Sequence, residues 1–95
     1  MAKYQGWTNY ETWAVALWID NEEGSYRYWR ERAEELLEQG TKKKVAINEL
    51  AQMMKNEHEE AAESAIEGGS LWSDLLSAAL SEVNWYEVAK SRFEK

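Results

Sequence analysis

Along most of this chain apolar residues recur every three to four positions, and nowhere do they alternate with period two; the pattern predicts helices and no sheet. The first helix is read from Asn9 or Tyr10 to about Asn21, with Thr8 and Glu11 at capping-box spacing and Asn9 as an alternative cap. On it Tyr10, Trp13, Ala14, Leu17 and Trp18 share one face, while Val15 and Ile19 lie opposite. A helix apolar nearly all round is buried on more than one side, so this one is expected at the centre of the fold, with Val15 and Ile19 as candidates for a self-interface.

Four more helices follow. The second is capped by Ser25 and ends at Gln39, with Gly40 at C′, and its stripe is Tyr26, Trp29, Ala33, Leu36 and Leu37. The third starts after Thr41 and keeps a 3.6-residue period through Ile47, Leu50, Ala51, Met54, His58, Ala61, Ala62, Ala65 and Ile66 until Gly68-Gly69. Ser70 caps the fourth, with Trp72, Leu75, Leu76, Ala79, Leu80 and Val83 expected inward. The fifth opens at Asn84, which has capping-box spacing to Glu87, and turns Trp85, Val88, Ala89 and Phe93 inward.

Charge supplies a topological expectation. The second helix has Arg27, Arg30 and Arg32 early and Glu34, Glu35 and Glu38 late; the third has Lys42, Lys43 and Lys44 early and Glu59, Glu60, Glu63 and Glu67 late. Both orders oppose the macrodipole at ~0.3–1 kcal/mol per misplaced charge. An antiparallel hairpin would set opposite signs against each other. The third helix is the longer, so Glu63 and Glu67 are expected to project past the start of the second.

Composition narrows the class. Ninety-five residues make one domain, 1–95, with a modest core. Six Trp, five Tyr and one Phe enlarge what that core can bury, and the absence of Pro favours uninterrupted helices. Without Cys there is neither a disulfide nor a thiolate metal site. No apolar run is long enough for a membrane span, and Met1-Ala2-Lys3-Tyr4-Gln5 lacks the apolar stretch of a signal peptide, so a cytoplasmic protein is expected. The net charge is −7, with +3 over residues 41–56 and −6 over residues 57–74. This balance disfavours direct nucleic-acid binding, since phosphates would be repelled, and suits a partner with a basic surface.

The candidate sites follow from that charge. Glu59, Glu63 and Glu67 stand at i, i+4, i+8, beside Glu57 and Glu60, where like charges cost a helix ~0.2–0.5 kcal/mol per pair. One reading is a docking face for a basic protein, including a surface that imitates duplex phosphates, although a charge every ~5–6 Å along a helix is sparser than the one per ~1.7 Å of DNA. The plainer reading is a solvated face partly neutralised by the second helix. His58, the single histidine, falls on the apolar stripe and is expected to be a core-edge residue with a hydrogen-bond partner. The aromatics are expected in the core, apart from Trp7, which with Tyr10 could form a stacking site for a nucleobase or other planar ligand. Asp20-Asn21-Glu22-Glu23-Gly24 has its glycine one place too early for a calcium loop. No P-loop, dinucleotide fingerprint, zincin motif, nucleophile elbow or Cys/His pairing is present, so no catalytic residue, metal or cofactor is expected.

Gly6-Trp7-Thr8-Asn9-Tyr10-Glu11-Thr12-Trp13, then Leu17-Trp18-Ile19-Asp20-Asn21-Glu22, resembles the opening of a family of small proteins of unknown function from phages, plasmids and prokaryotic chromosomes. Asp74-Leu75-Leu76 and Ala79-Leu80-Ser81-Glu82-Val83-Asn84-Trp85-Tyr86-Glu87-Val88-Ala89 resemble its second shared block. The resemblance implies a mobile-element setting, where small acidic proteins act against host factors, and brings no activity with it.

The expectation is thus an all-α bundle of about five helices in which the two blocks meet. Functionally it is a non-enzymatic protein-binding module using Glu59, Glu60, Glu63 and Glu67, and occupying a basic, nucleic-acid-binding host protein. The alternatives are a small-ligand or nucleobase binder using Trp7 and Tyr10, and a structural homo-oligomer.

Overall fold

A computed structural model describes residues 3–94; Met1, Ala2 and Lys95, which the sequence places in the single domain, lie outside the described residues. Tyr4 and Trp7 exchange backbone hydrogen bonds of 2.8 and 2.7 Å around Gln5 and Gly6, both at positive φ. This is a two-residue turn of the I′ kind, where glycine removes the steric cost at one of the two positions. It leads into α1 (Tyr10–Asn21), followed by α2 (Glu23–Glu38), α3 (Lys43–Ala65), α4 (Leu71–Ser81) and α5 (Trp85–Arg92). Among the described residues there is no strand, only the isolated Tyr4–Trp7 bridge.

The caps explain where the helices start and stop. Asn9 caps α1, its Oδ1 accepting from the Thr12 N–H at 2.9 Å and from the Thr12 hydroxyl at 2.6 Å. The Thr8–Glu11 box does not form, because Thr8 is drawn to α5: its N–H donates to Glu87 Oε1 and its hydroxyl accepts from Asn84 Nδ2. Only Glu22 separates α1 from α2, and as the N-cap of α2 it stands three residues before the expected Ser25. The Ser25 hydroxyl is not a cap; it lies between the Ile19 and Glu22 carbonyls, at 2.9 and 3.1 Å, and ties the elbow together. At the other end of α2, Gly40 has φ +85°, its N–H donates to Leu37 O, and the Thr41 N–H donates to Leu36 O. That is the double-bonded Schellman closure a C′ glycine permits.

The centre belongs to α3, not to the Trp-rich α1. α3 packs against α2, α4 and α5, most extensively against α5. Leu50 and Met54 of α3 and Val88 of α5 are fully buried, surrounded by Ile19, Trp29, Ile47 and Trp85. α1 buries only Thr12, Ala16 and Ile19, while Tyr10, Leu17 and Trp18 are exposed, Trp18 at 73%. The reason is steric. Thr12, Ala16 and Ile19, spaced i, i+4, i+7, make a narrow, mostly small seam that lets α1 lie close to its neighbours, so the large rings fall outside it. Ile19 is in the core, which removes it from the expected self-interface, and Val15, half-buried, packs against that core.

The chain's two ends are locked reciprocally. The fully buried Thr12 hydroxyl accepts from the Asn84 N–H at 2.9 Å, Asn84 Oδ1 caps α5 by accepting from the Glu87 N–H, and Asn9 Nδ2 donates to Glu82 O. Arg92 of α5, almost wholly buried, donates to Asp20 of α1 at 2.6 Å. The cap of α5 is thus held by α1, and the cap of α1 by the residue that closes α4.

Candidate functional site

α3 loses large apolar side chains as it leaves the core. Beyond Met54 its α4-facing side continues as Glu59, Ala62, Glu63 and Ile66, so there is little volume to fill the space opposite α4. The helix closes with the Ile66 N–H on Ala62 O, and the chain turns through Gly69 at φ +78°. α4 then starts on a reciprocal box, Ser70 and Ser73 each accepting from the other's N–H at 3.1 Å. The far end of α4 is anchored: Leu80 packs on the core, Val83 is buried, and Glu82 O holds Asn9.

Between the two helices lies a cleft of about 550 Å³. Glu59, Ala62, Glu63 and Ile66 form one wall, Ser73, Leu76, Ser77 and Leu80 the other, with Gly68 at its end. No residue of α4 is fully buried, although the helix reads Leu-Trp-Ser-Asp-Leu-Leu-Ser-Ala-Ala-Leu-Ser. The expectation that Trp72 and Leu75 point inward is therefore corrected: with Leu71 they form an exposed apolar edge, at 64% for Leu71, 65% for Trp72 and 53% for Leu75. α4 carries apolar residues on more faces than one neighbouring helix can cover.

The acidic candidates divide around this cleft. Glu59 and Glu63 line it, whereas Glu60 faces solvent outside it and Glu67 lies in the turn after α3, where its carbonyl accepts from the Ser70 hydroxyl. Among the described residues the ion pairs are Arg27–Glu23, Arg32–Glu35 and Arg92–Asp20, and none of the four glutamates takes part in one. Arg27 and Arg32 of α2 pair within their own helix and Arg30 donates to Glu94 O beyond α5, rather than across to α3. Two hydrogen bonds to Glu35 raise the Arg32 guanidinium further above its ordinary pKa, chiefly through the side-chain hydrogen bond itself. The direct polar link between α2 and α3 is instead the Tyr28 hydroxyl on Glu57, at 3.0 and 3.2 Å to its two oxygens.

The remaining candidates sit elsewhere. Trp7 is half-buried against the core, and Tyr10, 55% exposed, packs edge-on against Tyr4 and tilted against Trp13, centroids 5.2 and 5.5 Å away. His58 is half-buried between Trp29 and Trp85, centroids 6.0 and 5.1 Å away. Its Nδ1 lies 2.7 Å from Met54 O, and since a carbonyl only accepts, Nδ1 carries the hydrogen. It is the core-edge histidine the sequence suggests. Among the described residues no group of three or more His, Asp or Glu could hold a metal ion, and no helix is long and apolar enough to cross a membrane.

Sequence reasoning did not pick out Leu71, Ile66, Leu76 and Leu80 as parts of a site, or Trp72 and Leu75 as exposed. The signal was available in the doublets Leu71-Trp72, Leu75-Leu76 and Ala79-Leu80, which make the apolar arc of α4 too wide for one contact, and in the alanines of α3 opposite.

The fold and cleft define a small all-helical protein with an uncovered apolar helix beside an acidic one. The model described as "Family of unknown function (DUF7249)" matches residues 1–90, and the chain belongs to that family. Neither a curated protein nor a solved structure matches it.

Proposed function

We propose that the chain is a non-enzymatic protein-binding module, an acidic modulator of phage or plasmid type that acts in the cytoplasm by occupying a basic, nucleic-acid-binding host protein. The observation that supports this reading is the uncovered α4: Leu76 and Leu80 line the cleft with Ile66 and the unpaired Glu59 and Glu63, and Leu71, Trp72 and Leu75 form an exposed apolar edge on another face of the helix. Burying a large apolar side chain is worth ~1.5–3 kcal/mol, so a partner covering that edge gains several such increments. The carboxylates steer a basic partner and reject acidic ones. Tyr28 and Trp29 of α2 meeting Glu57 and His58 of α3 support an antiparallel α2–α3 hairpin, beyond which the acidic end of α3 stands free.

The test is capture from host lysate by the wild type and by a Glu59→Lys/Glu60→Lys/Glu63→Lys variant of matched stability, with the retained proteins identified by mass spectrometry. A basic, nucleic-acid-handling protein held by the wild type alone is the expected result. The same protein held equally by both would remove the acidic face from the function. A second reading, a structural homo-oligomer, draws on the exposed Leu17 and Trp18 of α1; light scattering at the monomer mass across concentration would end it.

A further inference from the structure

Resting on the docking reading above, we infer that the occupant of the α3–α4 cleft is a basic amphipathic α-helix, which inserts its apolar edge between the two helices and sets Lys or Arg residues against Glu59 and Glu63. The form of the cleft selects a helix. Peptides that bind as strands need a free sheet edge, and the described residues contain no strand. Both walls are helical, with their backbone groups committed to their own ladders. Glu59, Ala62, Glu63 and Ile66 run at i, i+3, i+4, i+7 on α3, and Ser73, Leu76, Ser77 and Leu80 run at the same spacing on α4. Such rows are the ridges between which the ridges of another helix pack. The small residues Ala62, Ser73 and Ser77 are low points that admit a close approach. A volume of about 550 Å³ accommodates a row of side chains rather than a whole helix, so the occupant lies along the cleft with one edge buried. Ile66, Leu76 and Leu80 supply the apolar lining that meets its inserted edge, and Glu59 and Glu63 fix the sign of the flank that faces α3.

The test uses the full chain, labelled with ¹⁵N, and three peptides of about 18 residues, or five helical turns. One arranges Leu and Lys with helical period; the second has the same composition in strict alternation; the third replaces Lys by Glu in the helical order. The helical Leu/Lys peptide is expected to shift the amides of Ala62, Ile66, Leu76 and Leu80, and to bind about tenfold more weakly to a Glu59→Lys/Glu63→Lys variant. The other two peptides are expected to leave those amides unmoved. Equal shifts from the alternating peptide would overturn the helix inference while leaving an acidic docking face in place. No shift at the cleft from any peptide would overturn both. Shifts confined to α1 would move the site to Leu17 and Trp18.

Discussion

Thr12 carries more of the fold than its size suggests. Its hydroxyl is fully buried, donates to Asn9 Oδ1 at 2.6 Å and accepts from the Asn84 N–H at 2.9 Å, joining the cap of α1 to the start of α5. Thr12→Val keeps the shape and removes both bonds. Each is worth about 1 kcal/mol net, and the Asn84 N–H, part-buried, is left without its acceptor at a further cost of about 1 kcal/mol. The sum, about 2–3 kcal/mol, lowers the Tm by about 10–20 °C in a domain of this size. Thr12→Ser retains the hydroxyl, loses one methyl and should cost about 1 kcal/mol. Urea unfolding followed by far-UV circular dichroism measures both. If valine costs no more than serine, the hydroxyl bridge is not what holds the two ends together.

Four further outcomes follow from the same contacts. Asp20→Ala leaves the Arg92 guanidinium, whose side chain is 4% exposed, without its carboxylate, and should destabilise by about 2–3 kcal/mol in urea unfolding; Asp20 is itself 44% exposed, which keeps the effect below that of a fully buried pair. Ser70→Ala removes half of the α4 box and should cost about 1 kcal/mol, read as faster amide exchange in α4 with α5 unchanged. Trp18→Ala should change stability by less than about 0.5 kcal/mol while reducing the red-shifted emission to that of the exposed Trp72, whereas Trp29→Ala should cost about 3–5 kcal/mol. Ala62→Leu fills the cleft and should abolish partner retention with stability held within about 0.5 kcal/mol; retention by that variant would place the partner elsewhere.

The helices were legible because their signals are local. Ser70, Asn84, Gly40 and the alternative cap Asn9 all act within a few residues, and the α5 stripe Trp85, Val88, Ala89 and Phe93 needs only its own period. What the pattern could not supply is which neighbour covers a face. Trp18 and Trp72, large and in register, fit a core by pattern alone, yet the packing seams run through Thr12, Ala16 and Ile19 in α1 and through Leu76 and Leu80 in α4. The Thr12–Asn84 and Asp20–Arg92 contacts each join residues 72 positions apart, and neither residue type announces burial. Of the acidic candidates, Glu59 and Glu63 reach the cleft because they share a helical face with Ile66, whereas Glu60 sits a hundred degrees round the helix from Glu59.

The central claim is that the α3–α4 cleft and the exposed edge of α4 receive a basic partner. Hydrogen–deuterium exchange of the protein, alone and with a partner retained from lysate, tests it most directly. The account predicts protection over residues 59–80, with α1 unchanged. Protection confined to α1 around Leu17 and Trp18, with α4 exchanging as in the free protein, would contradict it.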